Sequence, residues 1–320
     1  MKKRISIIVG GTGQFGITIA KILLKKNYFV VITTRNTKKA KNKINIRNKR
    51  LKIVKLNVLK TNQINKLLTK YDPNLIFYFA GLSSPGTSFK KPKETYLSNY
   101  QGCKNFLDLI KINNKKCKFL NSSSCEIFAN TNKKLNINSN KKPISPYGKS
   151  KLLSFNLTKK FRKNFKLKSY NAIIFNSESF LRPNDYLIPK ICIAALNAKK
   201  FRIKTKFGDL NISREWNWCD EQSKYLIKFL KKKPQDFILS NGKLFTALQM
   251  LEFAFSYFNL DYRNFILQNK KFFRKADSNS LKSNYNKCLN RNSIHRTNKI
   301  YGKKLIYKLI AYYLYEKKYY

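Results

Sequence analysis

Residues 5–16 read ISIIVGGTGQFG. The opening ISIIV is short and almost wholly apolar, the pattern of a strand buried on both faces. Glycine then recurs at Gly10, Gly13 and Gly16, with Gln14 and Phe15 inside the same loop. Ile17, Ala20, Ile22, Leu23 and Leu24 follow at helical spacing. A strand that turns through glycines straight into a helix gathers backbone N–H groups and the positive end of a helix around one point. Such a loop is shaped for the pyrophosphate of a dinucleotide, because glycine permits both the tight turn and the close approach.

Outward from that loop the alternation continues. Apolar runs at 28–33, 51–56, 75–80, 117–122 and 169–175 read as strands, and 61–70, 94–113 and 147–165 carry helical spacing. The expectation is an α/β fold, a doubly wound parallel sheet with helices on both faces. Its nucleotide-binding domain takes residues 1–176. Residues 177–320 are less regular, with helical patterns at 187–198 and 244–257 and a short apolar DFILS at 236–240. They are expected to form a smaller, mixed α/β, mainly substrate-binding part that can return strands or helices to the first domain. The tail KKLIYKLIAYYLYEKK (303–318) is amphipathic. It is expected to be a terminal helix docked on its own domain, with a membrane surface as the alternative.

Lys and Arg number 68 of 320 residues against 15 acidic ones, a formal charge of +53. That balance alone points to a polyanion partner. The basic residues are spread along the whole chain, however, and Lys, Asn, Ile, Phe and Tyr are abundant together, as in an AT-rich genome. No nucleic-acid partner is therefore expected. Six cysteines form no C-x-x-C pair and His295 is the only histidine, so no metal site is expected. Scattered cysteines fit a reducing, cytoplasmic setting. No apolar stretch is long enough for a membrane span, and the apolar run at the start is too short for a signal peptide.

The residues after the second strand bear on the cofactor. NAD sites place a carboxylate there for the ribose 2′-hydroxyl. Here VVITTRNTKK (30–39) has none and offers Thr33, Thr34, Arg35 and Lys38. Hydroxyls and positive charge suit a 2′-phosphate, so NADP is expected.

SPYGKSK (145–151) sets Tyr147 four residues before Lys151. In so basic a chain about four such pairs arise by chance, and Tyr100…Lys104, Tyr186…Lys190 and Tyr313…Lys317 are the others. Only Tyr147 and Lys151 lie on the helix after a strand that ends in a hydroxyl cluster, NSSSCEIF (121–128). There Lys151 would lower the Tyr147 pKa and hold the nicotinamide ribose. Tyr147 would act as base, and Ser124 would bond the same substrate oxygen.

With those residues in place, the chain resembles the extended short-chain dehydrogenase/reductase superfamily, with its Rossmann-type sheet. Within it the chain is similar to the GDP-mannose 4,6-dehydratase family. GGTGQFG, SSSCEIF, SPYGKSK, FNSESFLRP (175–183) and FGDLNISREWNW (207–218) carry the likeness, and SFKKPKETYLSNYQG (88–102) and FFRKAD (272–277) add to it. The resemblance implies a catalytic set of Ser124, Glu126, Tyr147 and Lys151. Glu126 discriminates, because 4,6-dehydration needs an extra acid–base group and epimerases and reductases of the superfamily usually have a small or hydroxyl residue there. Cys125 fits the guanosine-type pattern better than the acidic pair of dTDP-glucose enzymes.

The resemblance also implies cofactor contacts from Gly10, Gly13, Gln14, Phe15, Gly16, Arg35, Asn57, Val58, Ala80, Gly81, Tyr147 and Lys151. It implies substrate contacts from Ser83, Ser124, Asn176, Glu178, Lys190, Arg214 and Arg274. A homodimer or tetramer is implied as well, with Arg35 where a neighbouring subunit's cofactor is often met. Departures from the family pattern are Phe15 and Asn57 in place of acidic residues, Ser124 for threonine, Ser177 for histidine, and Phe180-Leu181 for a small-polar or basic stretch. The expected reaction is conversion of GDP-mannose to GDP-4-dehydro-6-deoxy-mannose. The alternatives are a related epimerase or reductase, or a non-catalytic polyanion-binding protein on this fold.

Overall fold

A computed structural model describes residues 4–113, 116–128, 133–269, 281–284 and 299–316. Arg274, Cys288 and His295 lie outside them. The apolar runs become β1 (Ile5–Val9), β2 (Phe29–Thr34), β3 (Leu51–Lys55), β4 (Leu75–Tyr78), β5 (Lys118–Ser124) and β6 (Lys168–Ile174). Three short strands follow, β7 (Ser177–Glu178), β8 (Thr205–Phe207) and β9 (Ser213–Arg214), then β10 (Asn217–Trp218) and β11 (Asp236–Leu239). β11 is the DFILS run. It joins the first six strands in a seven-stranded sheet of order β11-β6-β5-β4-β1-β2-β3. Every neighbouring pair in it is parallel. This is the Rossmann-type, doubly wound sheet expected from the alternation.

The helices around that sheet are α1 (Gln14–Lys25), α2 (Thr37–Lys43), α3 (Thr61–Tyr71), α4 (Pro85–Lys90), α5 (Pro92–Tyr96), α6 (Gly102–Asn113) and α7 (Pro146–Phe165). The helix predicted over 94–113 is continuous through α5 and α6, with a π turn at Leu97–Gln101 inside it. Part of its stabilisation is visible, since Tyr78 Oη donates to the Ser98 carbonyl at 2.6 Å.

Two compact units divide the chain. The first comprises Met1–Ala129, Ile137–Ile174 and Ser223–Leu239. Its core sets Ile7, Val9 and Val31 of the sheet against Ile64, Leu67, Phe106 and Ile110. A polar ladder crosses three adjacent strands. Asn121 Nδ2 donates to Asn171 Oδ1 at 3.0 Å, and Asn171 Nδ2 donates to Asp236 Oδ1 at 2.9 Å. Arg162 of α7 closes the ladder on the same Asp236 oxygen at 2.6 Å. These side chains stand opposite one another only in the observed register, so a one-residue slip would orphan every one of them.

The second unit comprises Asn130–Asn136, Phe175–Gln222 and Ser240–Tyr320. It holds α8 (Leu187–Phe201), the start of α9 (Cys219–Phe229), β12 (Phe245–Thr246), α10 (Ala247–Ser256), β13 (Ile266–Gln268) and the helix Gly302–Ala311. β7 pairs with β10, β9 with β12 and β8 with β13. The tail helix buries Leu305, Ile306, Leu309 and Ile310 in the same core as Ile191, Ala195, Leu251 and Ala254. The docked helix expected for the tail is what the structure shows. Among the described residues no helix is long and apolar enough to cross a membrane.

Candidate active site

The glycine loop is built from contacts that exclude a side chain. Gly10 has φ +72, and a Cβ there would lie 2.6 Å from the Ala80 backbone at the end of β4. A Cβ on Gly16 would lie 2.4 Å from Gly11. Gly13 differs, because its Cβ would have no neighbour nearer than Gly10 O at 4.0 Å. Two glycines therefore serve packing, and the third faces open space at the N-cap of α1, which has no side-chain cap and no acidic residue in its first turn. Phe15 stacks on Phe79 with ring centroids 5.5 Å apart. Gln14 is half-buried in the same turn. At the end of β2, Arg35 is exposed and Asn36 caps α2 by accepting from Lys39 N at 2.9 Å. No acidic residue precedes Asp72 in the whole chain.

The next loops abut this one. Asn57 Oδ1 accepts from Leu59 N at 3.0 Å, an Asx turn that shapes the chain after β3. Val58 fits against Gly102, where a Cβ would sit 2.6 Å from its side chain. Asn99 donates to Leu82 O at 3.2 Å and to Ser150 Oγ at 3.0 Å. It thereby ties the loop of Ala80, Gly81 and Ser83 to α7. Its Oδ1 is buried without a hydrogen bond, and a Cβ on Gly81 would meet that atom at 1.7 Å.

β5 ends at Ser124, whose Oγ accepts from Glu126 N at 3.3 Å and caps a short 3-10 turn. Gly148, in the first turn of α7, packs so closely that a Cβ would stand 2.4 Å from the Glu126 carbonyl. Glu126 is half-buried there. Tyr147 follows on the same turn, buried, with its N–H donating to Ser88 Oγ at 3.1 Å. One turn further, Lys151 Nζ donates to Ser122 O at 2.8 Å and lies 5.9 Å from the Tyr147 ring centre. The hydroxyl, the carboxylate-bearing turn, the tyrosine and the lysine are thus assembled where α7 meets the end of β5.

Lys151 is 6% exposed and has no carboxylate partner among the described ion pairs. Burial lowers its pKa from 10.5 to about 8, with the buried Cys103 thiol acting in the other direction. The other Tyr–Lys pairs are placed differently. Lys104 is paired with Asp108 at 2.7 Å on an exposed helix face, and Lys190 donates to Lys206 O at 2.6 Å. Tyr313 is wholly buried in the second core, and Lys317 lies outside the described residues.

The remaining sequence-expected residues belong to the second unit. Asn176 O accepts from Asn217 N at 2.9 Å. Glu178 on β7 is 2% exposed. Burial raises its pKa to about 7, with Arg182 pulling the other way. Lys190 stands 4.6 Å over the Phe207 ring, and burial lowers its pKa. Arg214 is buried on β9. Residue-by-residue reading missed Ser122, Asn99, Ser150 and Arg182. Serine, asparagine and arginine on their own carry no spacing signal, and only the paired loops show what they join. Among the described residues no cluster of three or more His, Cys, Asp or Glu stands together.

The model of the family described as GDP-mannose 4,6 dehydratase matches residues 7–305. GDP-mannose 4,6 dehydratase 1 of Arabidopsis thaliana is 25% identical over 302 residues, covering 89% of this chain and 83% of the relative. GDP-mannose 4,6-dehydratase of Vibrio cholerae is 23% identical over 267 residues, covering 79% and 72%. Among solved structures, a UDP-N-acetylglucosamine 4-epimerase from Methanobrevibacter ruminantium superposes with a TM-score of 0.83 at 21% identity, over 98% of this chain and 99% of that one. A dTDP-glucose 4,6-dehydratase from Bacillus anthracis, solved with NAD, gives 0.83 at 16% identity over 98% of both. The structural likeness shows the fold shared by epimerases and dehydratases, and the family match spans the glycine loop, the β5–α7 site and most of the second unit, so the chain belongs to the GDP-mannose 4,6-dehydratase family.

Proposed function

We propose that this protein dehydrates GDP-mannose to GDP-4-dehydro-6-deoxy-mannose with NADP as a recycled cofactor. The observation that carries the proposal is Glu126. It sits on the turn capped by Ser124, with its carbonyl against Gly148 of the helix that bears Tyr147 and Lys151. A simple oxidation or reduction needs the hydroxyl, tyrosine and lysine. A carboxylate in the same turn adds the group that a β-elimination requires.

The residues present fit a dinucleotide. Open space above Gly13, an uncapped α1 N-terminus and glycines pressed against backbone form a cradle that a side chain would fill. Gly10, Gln14, Phe15 and Gly16 complete that loop, and Asn57, Val58, Ala80 and Gly81 line the neighbouring strand ends. Arg35, with no carboxylate near it in sequence, favours a 2′-phosphate. A dinucleotide held by this loop would supply a hydride acceptor for C4 and a hydride donor for C6.

The chain's own groups handle the protons. Lys151, as a buried cation, favours the phenolate of Tyr147, which takes the proton of the C4 hydroxyl while Ser124 bonds the same oxygen. The resulting C4 ketone acidifies C5. Glu126 removes the C5 proton and passes it to the C6 hydroxyl, which leaves as water as the C6–O bond breaks; the proton that Tyr147 took from the C4 hydroxyl is then available to C5 when C6 is reduced. The net change is loss of one water. Ser83, Asn176, Glu178, Lys190, Arg214 and Arg274 are assigned to the sugar and diphosphate, whose negative charge suits the three basic side chains.

The test is incubation with GDP-mannose and a catalytic amount of NADP⁺, followed by mass spectrometry. The expected product has lost one water with no net NADPH. Stoichiometric NADPH consumption, or turnover of dTDP-glucose alone, would overturn the assignment. Glu126→Gln should abolish water loss and spare binding of GDP-mannose.

A further inference from the structure

We propose that Ser88 is a positioning residue for Tyr147, seating the tyrosine by its backbone. The proposal rests on the reading of Tyr147 as the base and adds a residue that fixes where that base stands. Ser88 lies in α4, in the segment that follows β4, and is wholly buried. Its Oγ donates to Pro85 O at 2.6 Å, so its proton is committed and its lone pairs are left for a donor. That donor is the Tyr147 N–H, 59 residues away in sequence, at 3.1 Å. The first N–H groups of a helix have no partner within it. At the start of α7, Pro146 has no N–H to satisfy. Gly148 N donates to the Ser145 cap at 3.0 Å, and Lys149 N begins the helical bonds on Ser145 O at 2.9 Å. The Tyr147 N–H stands between them, and Ser88 supplies its acceptor from outside the helix.

The carbonyl of Tyr147 is tied as well. Ser150 Oγ donates to Tyr147 O at 2.8 Å and accepts from Asn99 Nδ2 at 3.0 Å. Asn99 also donates to Leu82 O at 3.2 Å. One circuit therefore leaves the chain at Leu82, runs through Asn99 and Ser150 to the carbonyl of Tyr147, and returns from its N–H through Ser88 to Pro85. Both backbone groups of the tyrosine are anchored to the stretch 82–88, which carries Ser83. Ser88 makes the direct contact, and the other arm passes through two side chains. A base acts only from the right place, and a misplacement of about 1 Å can cost about a hundredfold in rate. Without the Ser88 hydroxyl, the buried Tyr147 N–H loses that acceptor and the first turn of α7 is free to shift. The phenol moves with it, while Lys151, one turn further in, keeps its bond to Ser122 O.

Ser88→Ala tests this against Ser84→Ala. Ser84 serves α4 itself, its Oγ accepting from Thr87 N at 3.2 Å. Each variant loses one cap in the same segment. Ser88→Ala should lower kcat for GDP-mannose by about tenfold to a hundredfold, with KM little changed, whereas Ser84→Ala should keep the wild-type kcat. Ser88→Thr keeps the hydroxyl and should restore most of the rate; Ser88→Cys, with a weaker acceptor, takes its place if the threonine variant does not fold. In the ligand-free protein, amide exchange read by tyrosine-selective isotope labelling should be faster at Tyr147 in Ser88→Ala than in wild type. A wild-type kcat in Ser88→Ala overturns the proposal, and so does an equal loss in Ser84→Ala, which would make the effect one of general stability. Unchanged exchange at Tyr147 overturns the seat itself. Exchange is read without substrate, so it decides the matter even where wild type leaves GDP-mannose intact, the result that refutes the functional assignment instead.

Discussion

Replacing Lys151 with methionine should make the protein more stable while removing its activity. The lysine sits in the first unit's interior, 6% exposed, and its charge is met by a backbone carbonyl at 2.8 Å. A fall from 10.5 to about 8 corresponds to about 3 kcal/mol of unfavourable burial of the cation. The sign follows from proton linkage. Below about pH 8 the lysine is charged in both folded and unfolded chains, and the whole penalty is present. Between that pH and 10.5 the folded protein has released the proton and the unfolded chain still binds it, so stability rises with pH. Methionine removes the penalty and leaves Ser122 O without its donor, a loss of about 1 kcal/mol. The expected net gain near neutrality is about 2 kcal/mol, fading to nothing or a small loss at alkaline pH. Urea unfolding of both proteins across that range, without ligand, measures it. A variant no more stable at neutrality, or a gain that does not change with pH, would refute the account of Lys151 as a buried, unpaired cation.

Gly148→Ala would gain about 0.8–1 kcal/mol in an ordinary helix. Here its Cβ meets the Glu126 carbonyl at 2.4 Å, so α7 should shift, with a stability loss of about 1–3 kcal/mol and a fall in kcat of about a hundredfold; unchanged kinetics would show that the β5–α7 seat does not set the chemistry. Leu309→Ala in the terminal helix should cost about 2–5 kcal/mol, read from denaturant midpoints; a change within the scatter of surface substitutions would contradict docking of that helix.

The parts of the fold that a reader of the sequence can see are those with strong local signals. Residues 5–25 are legible because a buried strand, a glycine turn and an amphipathic helix follow each other without interruption. Ser124, Glu126, Tyr147 and Lys151 become legible together, through a strand end and a proline-started helix. β11 is harder. Four residues of DFIL can be strand or helix by pattern alone, and it is the Asn121–Asn171–Asp236 ladder, distant in sequence, that fixes its place. The π turn at Leu97–Gln101 is illegible for a similar reason, because its stabilising partner is Tyr78, on another strand. The Ser88–Tyr147 bond spans 59 residues and leaves no compositional trace.

β11 also has a consequence for how this polypeptide is made. It follows β6 by more than sixty residues, and Phe175–Gln222, which intervenes, belongs to the other unit. During synthesis β6 is therefore an open sheet edge until β11 leaves the ribosome, a row of unsatisfied amides and carbonyls next to the strand that carries Ser124. Asn171 and Arg162 wait for Asp236 over the same interval. Both units are discontinuous in the gene, so cutting the chain at any one point isolates neither. Fragments that stop before Leu239 should expose the β6 edge and aggregate, and dissection of this enzyme into halves calls for circular permutation rather than truncation.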